Sequence, residues 1–126
     1  IDATNATLGR LASYVAKQAL LGKKIIILNS EKAIVTGRKK SIIEYYKKKR
    51  SKGGKSIQKG PYFSKLPEKI LKRTIRGMLP YNIKRGREAF ERVKCVKGPL
   101  PEMITIKVNK FSPQKYITIE ELSKLL

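Results

Sequence analysis

Four cations between residues 69 and 76 stand at a spacing that selects a chemistry. Lys69, Lys72, Arg73 and Arg76 fall at i, i+3, i+4 and i+7, which is one face of a helix. Leu71, Ile75, Met78 and Leu79 take roughly the opposite face. Such a helix docks its apolar side on a core and turns its charges outward. A guanidinium grips a phosphate with two parallel hydrogen bonds, and an ammonium acts as a point charge. A merely solvated face would carry acids at i,i+4 to its bases, and only Glu68 is available. Lys84, Arg85, Arg87, Arg92 and Lys94 continue this cluster along the chain. Upstream, Arg38, Lys39, Lys40, Lys47, Lys48, Arg50, Lys55 and Lys59 form another, with Glu44 as the only acid among residues 38–59. Both clusters are expected to bind phosphates.

The composition names the class of partner. The chain has 126 residues, with 30 Lys and Arg against 9 Asp and Glu, and a formal net charge of +21. A chain so charged repels itself when compact, and an anionic partner relieves the penalty. Nucleic acid is the densest common polyanion, and binding it releases counterions. Residues 38–59 hold ten of the bases and residues 65–97 eleven, so the charge is gathered in the middle of the chain. Hydrophobic residues make up 40%, enough for one modest core and too many for a disordered tail.

Other chemistries are poorly served. Histidine is absent, which removes the commonest general base near neutral pH and the commonest metal ligand. Cys95 stands alone, so no intrachain disulfide forms, and a reducing cytosolic compartment is expected. It reads as a small buried strand residue, with a reactive thiol beside Lys94 as the less favoured reading. Asp2, Glu31, Glu44, Glu68, Glu88, Glu91, Glu102, Glu120 and Glu121 show no metal-ligand spacing and are expected in caps and surface pairs. Gly54-Lys55-Ser56 ends like a phosphate-binding loop, but the motif needs a glycine at position 49, which is Lys. Gly9 stands without a Gly-x-Gly-x-x-Gly pattern. No cofactor, metal or small-molecule substrate is therefore expected, and no catalytic set is visible. An amphipathic membrane helix usually carries Trp or Phe on its apolar face; residues 67–79 have neither. No apolar run reaches the ~18 residues of a membrane span, and Ile1-Asp2-Ala3-Thr4-Asn5 lacks signal-peptide character.

The elements that would position the charges follow from periodicity. Residues 1–3 suggest the end of a short strand. Leu8, Leu11, Ala12, Val15, Ala16, Ala19 and Leu20 predict a helix over 8–20, with Thr7 as its N-cap and Gly22 as its stop. Ile25-Ile26-Ile27-Leu28 reads as a strand covered on both faces, and residues 33–35 as another short extended piece. Strand, helix and strand in so short a span suggest a right-handed βαβ unit. A helix over 38–50 runs into Lys47-Lys48-Lys49-Arg50, followed by a basic glycine-containing loop over 51–66. Tyr45, Tyr46, Tyr62 and Phe63 interleave with bases there; aromatics stack on splayed RNA bases, although Tyr45 and Tyr46 more simply pin their helix to the core. Gly53-Gly54 and Gly60-Pro61 would let backbone approach RNA closely. Pro67 opens a helix over 67–79. A helical turn over 87–92, strands over 92–96 and 103–108, and a short final helix complete the pattern. Thr118 and Glu121 are spaced as a capping box for that last helix. One α/β domain over residues 1–126 is expected.

The stretches Ile1-Asp2-Ala3, Leu8-Gly9-Arg10-Leu11-Ala12-Ser13, Gly22-Lys23, Asn29-Ser30, Ile34-Val35-Thr36-Gly37, Gly60-Pro61, Arg73-Thr74-Ile75-Arg76-Gly77-Met78-Leu79-Pro80 and Gly86-Arg87-Glu88-Ala89 carry a resemblance. In this order the chain resembles the universal L-thirteen family of large-subunit ribosomal proteins, most closely its short archaeal type. The resemblance implies a three-layer α/β/α domain with a mainly parallel four-stranded sheet and basic loop and helix extensions. It implies binding to large-subunit ribosomal RNA, a cytoplasmic place in the large subunit, and a part in assembly. Contact with neighbouring ribosomal proteins, such as the L-three family member, is implied too. Two other readings compete with a ribosomal one: a nucleotide-dependent enzyme, against which the missing phosphate loop counts, and a free RNA-binding regulator of translation.

Overall fold

The computed structural model describes residues 1–52, 60–100 and 113–126. The first helix, α1 (Leu8–Leu20), buries Leu8, Leu11, Ala12, Val15, Ala16 and Ala19, the stripe that the 3.6-residue period predicts. Its small residues let α3 (Pro67–Met78) and α4 (Lys84–Glu91) pack close against it. The helix stops where Gly22 takes a φ of 94° and its N–H donates to the Ala19 carbonyl at 3.0 Å, a left-handed conformation that only glycine adopts cheaply. Thr7 holds the N-cap position, but its side chain makes no capping hydrogen bond and its buried hydroxyl has no partner among the described residues.

Strand β1 (Ile25–Ile27) follows and pairs in parallel with β3 (Val93–Cys95), Ile25 opposite Val93 and Ile27 opposite Cys95. Strand β2 (Ile34–Thr36) pairs antiparallel with β4 (Tyr116–Thr118). The expectation of a single, mainly parallel four-stranded sheet is therefore met only in part: the described strands form two two-stranded sheets, one of each sense. The reason lies between β1 and β2. Asn29 sits at φ 53°, and Ser30–Lys32 form a 3-10 turn, which swings the chain away from β1 before β2 begins. The N-terminal segment ties the two sheets together, with Asp2 bridged to Leu28 and Thr7 to Ile34, both parallel. Residues 1–3 thus contribute a single bridge, and β4 is a strand that the sequence reading did not foresee. The strand expected over 103–108 lies outside the described residues.

Helix α2 (Lys39–Ser51) buries Ile42 and Tyr46 in the core and packs the half-buried Ile43 against it. The edge of the Tyr46 ring meets the Phe63 ring, centroids 5.6 Å apart. The loop expected over 51–66 is therefore anchored at Phe63, which is buried. Helix α4 begins earlier than the turn expected over 87–92. The last helix, α5 (Ile119–Leu125), is capped by Thr118, whose hydroxyl accepts from the Glu121 N–H at 3.2 Å. The Glu121 carboxylate turns instead to Lys39, at 3.3 Å. One core gathers Leu11, Val15, Ile27, Leu71, Ile75, Val93 and Ile117.

Candidate nucleic-acid interface

Helix α3 is built as its spacing predicts, with one displacement. Ile70, Leu71 and Ile75 are buried, and Lys69, Arg73 and Arg76 are exposed. Met78, expected on the apolar face, is instead exposed in the last turn, where its sulfur accepts from the Ser13 hydroxyl at 3.4 Å. Ile70, not foreseen on the apolar face, is buried near the start of the helix. The buried arc is wider than the four residues the sequence suggested.

The cations of α3 do not hang free. Lys72 lies over the Phe90 ring at 4.8 Å, Arg73 over Phe63 at 4.7 Å and Arg76 over Tyr81 at 4.1 Å. The Arg73 guanidinium also donates to the Tyr62 carbonyl at 2.7 Å. Ring faces hold cations without neutralising them, so the charges are oriented yet still available to an anion. A groove lined by Tyr62, Ser64, Lys69, Lys72, Arg76 and Phe90 runs along this face. The Tyr62 ring is 85% exposed beside it, placed to stack on a base.

A family model described as Ribosomal protein L13 matches residues 1–101. The large ribosomal subunit protein uL13 of Methanocaldococcus jannaschii is 48% identical over 131 residues, covering 100% of this chain and 95% of the relative. Its counterpart in Archaeoglobus fulgidus is 42% identical over 137 residues, covering 100% of this chain and 85% of the relative. The chain belongs to the ribosomal protein L13 family.

This L13-family chain brings its two basic clusters together at Phe63. Lys49 of α2 reaches the Phe63 ring at 5.8 Å from its Nζ, the same ring that Arg73 of α3 covers. Lys49 also sits over Tyr45 at 4.4 Å. It was not among the expected binding residues. The signal was present, since Lys49 stands at i+4 from Tyr45 and i+3 from Tyr46 and so shares their side of the helix. Tyr46 is buried and pins α2, as expected, while Tyr45 is 54% exposed.

The remaining expected residues divide by their surroundings. Arg38, Lys40, Lys47, Lys48, Arg85, Arg87 and Lys94 are exposed. Lys39 pairs with Glu121, and Lys84 with Glu88 at 3.9 Å; both pairs are exposed and cheap to exchange for a phosphate. Arg50 donates to the Leu126 backbone oxygen. Arg92 is half-buried and donates to the Ala19 carbonyl at 3.0 Å, the C-terminal end of α1, where a cation is favoured. Its position serves the fold as much as any ligand. Lys55, Lys59 and Gly53-Gly54 lie outside the described residues.

Several of the acids are spent on structure. Asp2 accepts from the Thr4 N–H and the Asn29 side chain, each at 3.0 Å. Buried Glu31 accepts from the Gly98 N–H at 3.2 Å. Glu120 bonds Lys124 at 2.9 Å, and that hydrogen bond holds its carboxyl below the usual range. Burial pushes the Cys95 thiol up to about 12, against the pull of Lys72, so it stays protonated and unreactive near neutral pH. Among the described residues no group of His, Cys, Asp and Glu could hold a metal, and no helix is long and apolar enough to cross a membrane.

Proposed function

We propose that this chain is a structural constituent of the large ribosomal subunit that binds large-subunit ribosomal RNA and supports subunit assembly and translation in the cytoplasm. The observation that carries the reading is the α3 face, where three cations are held on aromatic rings and, among the described residues, left without a carboxylate partner at hydrogen-bond distance. The relatives' name, large ribosomal subunit protein uL13, supports the same reading. The seventeen expected residues, with Lys49 added, form the proposed contact set. Phosphate contacts set register, while RNA shape and splayed bases supply specificity. Neighbouring ribosomal proteins, the L-three family member among them, are proposed partners. The chemistry is binding, and no catalytic step is assigned.

The finer architecture belongs to this reading as well. Residues 1–126 are taken as one domain in which the two small sheets, joined through the N-terminal segment, stand in for a four-stranded sheet between helical layers. The bridges at Asp2 and Thr7 support it.

Sedimentation of the tagged chain in extract of its own cells tests the function. It should travel with the large subunit at low salt and leave it at high salt. A chain that sediments apart from the subunit at low salt would instead be a free RNA-binding regulator.

A further inference from the structure

A cleft of about 520 Å³ opens between the first turn of α1, α2 and α3, and two helical glycines line it. Gly9 is the second residue of α1, and Gly77 lies in the last turn of α3. A Cβ built on either one meets nothing within 4 Å. Glycine is less favourable than alanine in a helix, and here the protein's own packing leaves room for alanine at both places. Each glycine instead presents bare backbone to the same cleft. Lys49 and Arg73 also line it and converge on Phe63, while no Asp or Glu among the described residues does. The Thr7 hydroxyl, without a partner among the described residues, belongs to the lining as well.

Bare backbone on two helices suits a ligand that comes very close, and two converging cations suit one that is anionic. The sugar-phosphate chain of RNA is both. We propose that one strand of RNA enters this cleft, its backbone lying against Gly9 and Gly77 with a phosphate held between Lys49 and Arg73. The proposal rests on the reading of the chain as a ribosomal RNA binder and adds a steric contact that charge patterning does not reveal.

The test uses Gly9→Ala and Gly77→Ala, singly and together, with Lys49→Gln as a separate variant. Thermal melts should show the glycine variants folded and at least as stable as the parent, because alanine favours helix and the space is open. Titration with large-subunit ribosomal RNA at fixed salt should show each of them about tenfold or more weaker, with little change in salt slope, because overpacking is costly and no charge is lost. Lys49→Gln should lower the magnitude of the slope by about 1. If the parent chain itself fails to bind the RNA, the ribosomal reading falls and takes the cleft with it. If the parent binds and the glycine variants bind as tightly, the cleft proposal alone is overturned.

Discussion

Arg73 and Arg76 show how much of a binding residue can be read from spacing alone. Their shared face was legible because i, i+3, i+4 and i+7 fix direction on a helix. Their support was not. Phe63 and Tyr81, the rings beneath them, lie outside α3, and no local period links a cation to a ring in another segment. Lys49 had a local signal in its spacing to Tyr45 and Tyr46, but its sharing of Phe63 with Arg73 was hidden for the same reason. Reversing both charges, Arg73→Glu with Arg76→Glu, should weaken RNA binding roughly a hundredfold or more, given that hydrogen bonds to charged groups are each worth about 1.5–3 kcal/mol. The chain should still fold. Both guanidiniums are exposed, and exposed cation–π contacts contribute only about 0.5–1 kcal/mol each. Circular dichroism through a melt would check this, and global unfolding of the double variant would show that the face is structural.

At the scale of elements, the helices were the most legible part. Their apolar residues recur within a single local segment, so α1 follows from its pattern and the Gly22 stop, and α3 from its pattern and the Pro67 start. Strands were harder. β4 is three residues long and pairs with β2 from the far end of the chain, a partnership that no local signal encodes. The split into two sheets was equally hidden, because the turn at Asn29 and Ser30–Lys32 stands between β1 and β2. The junction between α3 and α4 depends on Gly86 for a steric reason invisible in sequence. A Cβ there would stand 2.0 Å from the Pro80 carbonyl oxygen, and backbone cannot give way as a flexible side chain can. Gly86→Ala should therefore cost about 2 kcal/mol or more, seen as a lower urea midpoint with an unchanged slope. An unchanged midpoint would show that the Pro80 turn yields freely. Since α4 carries the Phe90 ring under Lys72, the same variant should also loosen the cationic face.

For the whole molecule, the excess of positive charge predicted the class of partner before any element was placed. Composition works at this scale because counterion release depends on how many phosphates are neutralised, with little regard to the order of the residues. Composition did not say that the two basic clusters would meet, and Phe63 joins them. A small core holding two adjoining cationic faces is the central claim, and salt tests it most directly. Contact with about 8 phosphates, at roughly −0.7 to −0.9 each, gives a slope near −6 when the logarithm of affinity for large-subunit ribosomal RNA is plotted against the logarithm of salt concentration. The account predicts that slope. A slope near zero would mean that the cationic faces do not hold the RNA.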